Sequence, residues 1–293
     1  MTGPVVVGVD GSPSSTAAVE VAAREAGLRG VGLRLVHAFG RPLAHIPPGG
    51  RPWEPSDAGV RELIDGTLVK AERSAHDTAP GVEITRDIVV GEPVEVLEIE
   101  SRTASLAVVG SRGLSRFGAL LLGSTAGHLA AHAACPVLVV RRRPDPAGPV
   151  LLAVDGSPAA RGAVEFAFAH ASLHGVGLVA LHAWSTRSER AYESPADPPF
   201  VTYDEGRLHD EEERVLAEAL GGLRDRYPDV AVDRRLVRGR VRHSLIEASA
   251  QAGLVVVGAR GRGGFAGLLL GSVSQAVLHH AECPVAVVRS GHE

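Results

Sequence analysis

Cysteine is almost missing from this chain, with two residues in 293, Cys135 and Cys283. Two thiols do not make a disulfide framework, so an ordinary hydrophobic core has to hold the fold. They stand at matching places, each just before a proline, and read as small, semi-buried apolar residues rather than redox groups. Apolar runs are short, and none approaches the roughly 18 residues that span a bilayer. No charged stretch precedes Pro4-Val5-Val6-Val7, so no signal peptide is expected, and the chain is expected to be soluble and cytoplasmic, with no membrane partner. An excess of positive charge is also lacking, since Lys and Arg number 30 against 34 Asp and Glu. Without a basic stripe, nucleic acid is not expected as a partner. Arg141-Arg142-Arg143 is too short to count as one and reads as part of a connector between domains.

What the chain does have is a repeat. Val9-Asp10-Gly11-Ser12-Pro13 returns as Val154-Asp155-Gly156-Ser157-Pro158, and Cys135-Pro136-Val137 returns as Cys283-Pro284-Val285. Gly110-Ser-Arg-Gly113, nine residues, then Gly123-Ser124 returns as Gly258-Ala-Arg-Gly261, nine residues, Gly271-Ser272. The length suits two domains of about 145 residues, each large enough for its own core. Domain 1 is expected over 1–143 and domain 2 over 149–290. The short, proline-rich connector near 141–149 would hold them close.

Each half alternates short β-branched runs with longer helical patterns. In the first half, strands are expected at 5–9, 33–37, 83–90, 106–109 and 137–140. Helices are expected at 14–29, 60–76, 92–103 and 124–134. Ser12-Pro13 is an N-cap followed by proline at the first helical position. The second half repeats the order, with strands at 150–154, 178–182, 230–237, 254–257 and 285–288 and a helix over 205–227. The long stretches 39–57 and 185–202 are rich in proline or polar residues and read as loops. Continuous apolar strands separated by helices imply a parallel sheet covered on both faces, a doubly wound α/β form. Ligands of such sheets bind beyond the carboxyl ends of the strands, where the strand order reverses. If the first and fourth strands are neighbours there, Asp10 and the first glycine loop share one cleft, and Asp155 and the second share another.

The glycine loops have the makings of a phosphate site. Gly110 and Gly113, like Gly258 and Gly261, bare the backbone just after a strand. Gly123-Ser124 and Gly271-Ser272 open helices whose free N–H groups attract anions. Thr125 adds a hydroxyl in the first half, where Val273 has only its backbone to offer. Arg112 and Arg260 occupy the same loop position and can neutralise charge; Arg116 and Arg262 are further candidates, not equivalent to each other. On the residues alone, such a loop is equally a tight turn with a capped helix. A Walker A loop is excluded, because Gly118–Ser124 has no lysine. A dinucleotide fingerprint belongs after the first strand, not the fourth.

The pattern Gly-x2-Gly-x9-Gly-Ser, with its Val-Asp-Gly-Ser start and Cys-Pro-Val-x-Val-Val finish, resembles the universal stress protein family in its ATP-binding branch, in tandem form. The resemblance covers about 5–140 and 150–289. It implies five parallel strands per domain in the order 3-2-1-4-5, with ATP across strands 1 and 4. Asp10 and Asp155 would then contact the adenosine end, Ala38 and Ala183 would offer backbone groups to adenine, and Gly110 and Gly258 would lie by the ribose. Gly113, Gly123, Ser124 and Thr125 would hold phosphates in one domain, as would Gly261, Gly271, Ser272 and Val273 in the other. Mg²⁺ would bridge the phosphates without a protein metal cluster. Gly91-Glu92-Pro93 matches a family turn, and Gly239-Arg240-Val241 departs from it. The family's fifth strand mediates dimer contact, so the two copies are expected to pair within the chain and the chain to form a homodimer.

Other residues are read more plainly. His37 and His182, at matching strand ends, suit packed, hydrogen-bonded roles, with lining of the cleft as the alternative. His132/Cys135 and His280/Cys283 offer two ligands each, short of the four of a structural zinc site, so no metal site is expected. His279-His280 reads as a solvated helix end. Trp53 and Trp184 lie in or near the long loops, and Trp184 either packs at the domain junction or covers the cleft.

Three functions follow as expectations. The first is a regulatory protein of stress or dormancy that binds one ATP per domain and acts on an unidentified protein partner. The second is a slow ATPase or nucleotidyl-transfer enzyme. The third is a scaffold without nucleotide. Enzyme activity is not expected, because the stretches between Gly110 and Gly123 and between Gly258 and Gly271 hold no Asp, Glu, His, Lys or Cys to act as base or nucleophile.

Overall fold

The computed structural model describes residues 3–40, 58–113, 122–141, 145–184, 205–262 and 269–289. Two compact units divide the chain, Met1–Arg143 and Pro144–Glu293. Of the loops expected over 39–57 and 185–202, residues 41–57 and 185–202 lie outside the described residues, as do Trp53 and Arg116, and Phe39 belongs to a strand rather than to the first loop.

The first unit runs β1 (Val5–Gly8), α1 (Pro13–Arg29), β2 (Leu33–Phe39), α2 (Ala58–Thr78), β3 (Ile84–Val90), α3 (Pro93–Glu100), β4 (Leu106–Gly110), α4 (Ser124–His132) and β5 (Val137–Val140). All strand pairs are parallel, and their neighbours give the order β3-β2-β1-β4-β5. The second unit repeats this with β6 (Val150–Ala153), α5 (Arg161–His174), β7 (Leu178–Trp184), α6 (Glu205–Ala219), α7 (Leu223–Arg226), β8 (Val232–Arg238), α8 (Val241–Ser249), β9 (Leu254–Gly258), α9 (Ser272–His280) and β10 (Val285–Val288). Its order is β8-β7-β6-β9-β10. The expected doubly wound α/β class is therefore the observed one, in both units.

Burial explains the strand sequences. β1, β4 and β5 are buried along nearly their whole length, as a strand covered by helices on both faces must be. β3 and β8, with their alternating apolar and charged residues, stand at the outer end of each order and are mostly half-buried or exposed. Arg34 on β2 ties this region to α3. It forms a two-pronged pair with Glu100 at 2.9 and 3.1 Å and touches Asp87 of β3 at 2.7 Å. The hydrogen bond to Glu100 is the main reason its pKa is raised further.

Helix α1 starts as its sequence demands. Ser12 accepts a hydrogen bond from the Ser15 N–H at 3.1 Å, and Pro13 occupies the first turn. The second unit departs here, because Ser157 makes no such cap and Pro158–Ala160 forms a 3-10 turn before α5. The helix expected over 205–227 is two helices. Gly222 sits at φ 75°, a left-handed conformation that a helix interior cannot hold, so α6 stops at Ala219 and α7 starts afresh at Leu223. Helices expected to reach 103 and 134 end at Glu100 and His132, where the chain turns back toward β4 and β5. Among the described residues, no helix is long and apolar enough to cross a membrane.

Both cysteines are buried and unpaired. Burial disfavours the thiolate and raises the pKa of Cys135 to about 11 and that of Cys283 to about 12. A disulfide-exchange reagent should therefore leave both thiols unmodified in the native protein from pH 7 to 9, and react with two per chain once guanidinium is added. Fast reaction of either thiol in native buffer would contradict this burial.

Candidate functional site

The chain leaves β1 toward β2 on one side and comes back to β4 on the other, so the order reverses between β1 and β4, which are direct neighbours. The same reversal falls between β6 and β9. Each reversal opens a cleft at the carboxyl ends of the strands, as such sheets require.

In the first unit, Asp10, Ala38, Gly110, Gly113, Gly123, Ser124 and Thr125 all line a single cleft of about 180 Å³. In the second, Asp155, Ala183, Gly258, Gly261, Gly271, Ser272 and Val273 line one of about 500 Å³. Arg112 lines the first, and Arg260 and Arg262 line the second. Every site residue read from the sequence is thus brought to the matching cleft. Apolar walls went unread: Pro93 and Leu97 of α3 in the first cleft, Val241 and Leu245 of α8 in the second. Their signal was available, because the two pairs match across the repeat.

The carboxylate at the end of the first strand shapes the turn that follows it. Asp10 accepts from the Ser12 N–H at 2.9 Å, and Asp155 accepts from the Ser157 N–H at 2.9 Å. The residue between must double back, and Gly11 and Gly156 do so at φ 82° and 69°.

The glycine turns are held differently in the two units. In the first, the Arg112 N–H donates to Ser14 Oγ at 3.3 Å. In the second, Ala159 stands where Ser14 would be, and Asp155 takes over by accepting from the Arg262 N–H at 2.9 Å. Asp155 also accepts from Ser157 Oγ at 2.7 Å, so its carboxylate is fully engaged by protein donors. Asp10 Oδ2 has no hydrogen-bond partner among the described residues. A Cβ added at Gly113 would stand 3.0 Å from that atom, and one added at Gly261 would collide with Asp155 Oδ2. Gly110 answers to a different neighbour, since its added Cβ would meet the backbone of Ser14 in α1.

The helices after the turns carry an electrostatic signature. The Gly123 N–H bonds Ser111 O at 2.8 Å and the Gly271 N–H bonds Ala259 O at 2.7 Å, which pins each turn to the start of its helix. Neither α4 nor α9 has a side-chain cap, in contrast to α1. The first-turn N–H groups of Ser124 and Ser272 therefore face the cleft without a side-chain acceptor. Gly123 and Gly271 have ordinary φ values of −62° and −71°, and among the described residues an added Cβ would make only ordinary contacts there. The described residues do not demand that these two positions lack side chains.

The second cleft contains a polar cluster with no counterpart in the first. His37 and His182 each donate from Nδ1 to the carbonyl that ends the first strand, Val9 or Val154, at 2.7 Å. This is the packed role expected of them. His182 Nε2 also meets Glu212 Oε2 at 2.7 Å, and Arg262 Nη1 lies 3.7 Å from the same oxygen. Aligned by buried Leu68 and Leu216, the position of Glu212 in the first unit is Ile64, which is itself buried. Reading the repeats as equivalent hid this replacement. Trp184 is buried and lines the second cleft, edge-on to His209 at 6.1 Å and under the Arg238 guanidinium at 5.9 Å.

A tandem pair of doubly wound units, each with a bare glycine turn at its switch point, is the class of protein that this geometry defines. The sequence pattern of the universal stress protein family matches residues 1–141 and 147–289. Universal stress proteins Rv1996 and Rv2623 of Mycobacterium tuberculosis are each 40% identical to the chain, over 97% of it and 94% and 96% of themselves. A crystal structure of a universal stress protein from Archaeoglobus fulgidus superimposes with a TM-score of 0.70 at 21% identity, covering 98% of both chains. The chain belongs to the universal stress protein family.

Proposed function

We propose that each unit binds one ATP across its switch-point cleft, and that the chain is a nucleotide-responsive regulator in stress or dormancy rather than an enzyme. The reading rests chiefly on one observation: a glycine-flanked turn and an uncapped helix start converge on one cleft, twice, and no described neighbour requires bareness at Gly123 or Gly271. Both features suit a polyphosphate. Gly113, Gly123, Ser124 and Thr125, and Gly261, Gly271, Ser272 and Val273, are the groups that would hold it. Ala38 and Ala183 lie at the carboxyl ends of β2 and β7, across the cleft from the glycine turns, where a flat base would slide between β2 or β7 and the apolar wall. Any Mg²⁺ would ride on the phosphates, with the Asp10 carboxylate beside the first turn. The second cleft, within the usual 300–1,000 Å³ of small-molecule sites, is the one expected to fill first.

Nucleotide extracted from the purified, untagged chain and identified by mass spectrometry tests this directly. ATP approaching one or two equivalents per chain is expected, with titration of the stripped protein showing the second cleft tighter. Stripped protein that fails to bind adenine nucleotides at millimolar concentration would refute the reading.

Slow hydrolysis is favoured in the second cleft, where the Glu212 carboxylate, oriented by His182 Nε2, is the group that would act as general base. A steady-state assay should give turnover far below the usual 1–10³ s⁻¹ of enzymes. Glu212→Gln should abolish whatever turnover exists, and rapid turnover would overturn the regulatory reading.

A further inference from the structure

The two helices that wall the first cleft are also joined by titratable side chains which the proposed function does not use. α3 carries Glu98, and α4 carries His128 and His132. His128 Nε2 lies 2.8 Å from Glu98 Oε2. One helical turn on, the His132 ring stacks on that of His128, with centroids 3.9 Å apart and planes 12° apart. His132 Nδ1 donates to the His128 carbonyl at 3.0 Å. That bond places the hydrogen on Nδ1 and leaves a lone pair on Nε2, which has no hydrogen-bond partner among the described residues. Glu98 and His128 are 33% and 31% exposed, so a hydrated ion can reach them.

Packing does not require this cluster. Aligned by Leu97 with Leu245 and by Leu129 with Val277, the corresponding residues of the second unit are Ile246, Ala276 and His280. There the same helix pair meets without a carboxylate or a second imidazole. The cluster is a property of the first unit rather than of the fold.

We propose that Glu98, His128 and His132 form a binding site for a divalent transition-metal ion of the zinc class. Two imidazoles and one carboxylate are the protein ligands of open zinc sites, with water in the fourth position. Cu²⁺ and Ni²⁺ suit the same donors. Histidines four apart on a helix share one face, and the bond from His132 Nδ1–H to a carbonyl is the outer-shell contact that orients a ligating imidazole.

On binding, the ion takes the place of the proton between His128 Nε2 and Glu98 Oε2. Both atoms bond the metal, His132 Nε2 donates its lone pair, and one proton leaves to solvent for each charged imidazole that is replaced. Tetrahedral ligands at about 2.0–2.1 Å stand roughly 3.3 Å apart, whereas the three donor atoms do not all lie within 4.8 Å of one another, so the 2.8 Å pair has to open by about half an ångström and the stacked rings have to splay until His132 Nε2 closes on the ion. The sequence alone hid the site, because it paired His132 with Cys135, whose thiol is buried, while the ligand that completes the set comes from another helix. The ion would clamp α3, with its Pro93 and Leu97, to α4, with its Ser124 and Thr125.

The test uses the untagged full chain without nucleotide, titrated with Zn²⁺ by calorimetry and with Co²⁺ by visible absorption. His132→Gln leaves the Glu98–His128 pair intact, and Glu98→Gln removes the carboxylate; circular dichroism checks that both variants fold. One tight ion per chain with a micromolar Kd is expected, with proton release seen as buffer-dependent heat and at least tenfold weaker binding in each variant. Wild-type affinity no better than millimolar, or tight binding that survives both substitutions, would overturn the assignment. Neither result depends on whether the clefts take ATP.

Discussion

Gly261→Ala is expected to empty the second cleft of nucleotide, and Gly113→Ala to weaken the first by less. The difference follows from what each new methyl group meets. At Gly261 it would collide with Asp155 Oδ2, and that carboxylate is held by the Ser157 N–H at 2.9 Å, Ser157 Oγ at 2.7 Å and the Arg262 N–H at 2.9 Å. It cannot swing aside without giving up the bond that shapes the turn. At Gly113 the methyl would stand 3.0 Å from Asp10 Oδ2, a contact that a shift of a few tenths of an ångström relieves, and among the described residues only the Ser12 N–H holds that carboxylate. Overpacking of this kind costs roughly 1–3 kcal/mol, or about 5- to 150-fold in affinity, with Gly261→Ala toward the upper end. Calorimetric titration of stripped single variants, plus the double variant, separates the two clefts. A double variant that retains wild-type nucleotide content and affinity would show that these turns do not hold the ligand.

If both clefts take nucleotide as proposed, the asymmetry sets how the chain responds. A roomy second cleft that includes Glu212, His182 and Arg262 and a narrower first cleft that includes Asp10 and Arg112 are expected to fill at different concentrations. Two sites of different affinity in one chain report nucleotide over a wider range than two equal ones. Arg262, 47% exposed and 3.7 Å from Glu212, is the cation nearest the second turn that can trade a carboxylate for a phosphate. Glu212→Gln frees that guanidinium, so tighter binding of ATP in the second cleft is the expected consequence.

The repeat made most of this legible in advance. Apolar strands and glycines after the fourth strand are local signals that appear where such signals place them in both units, and the serine N-cap before proline does so in the first. Two kinds of information were not local. The first is difference between the copies: Ala159 for Ser14 and Glu212 for Ile64 change how a turn is held and what a cleft offers, but only the folded chain brings position 212 beside His182. The second is the origin of a glycine. Gly110 and Gly113 look alike in the sequence as bare backbone for a ligand, yet Gly113 faces Asp10 and Gly110 faces the first turn of α1.

Gly110→Ala therefore tests the separation of folding from binding. Its methyl group would meet Ser14 Oγ and also fall 2.7 Å and 2.8 Å from the Ser14 backbone carbon and oxygen. A hydroxyl can rotate away, whereas the backbone of α1 cannot. The Ser12 cap fixes that turn through Ser15 N at 3.1 Å and Thr16 N at 3.0 Å, and β4 is hemmed in by β1 and β5. Either the helix is pushed off the sheet or the end of β4 buckles. The loss should be about 3 kcal/mol, well above the roughly 0.4–1 kcal/mol that alanine recovers by restricting the unfolded chain. In a domain of this size that lowers the midpoint of thermal unfolding by roughly 6–12 °C. Gly258→Ala is the internal control. With Ala159 in place of Ser14, its nearest neighbours are Arg260 O at 3.0 Å and Ala159 O at 3.8 Å, so the same change should cost the second unit far less. Below its melting temperature the Gly110→Ala protein should still fill its second cleft like wild type. Equal melting temperatures for the two alanine variants would mean that α1 does not press on Gly110 as the geometry requires.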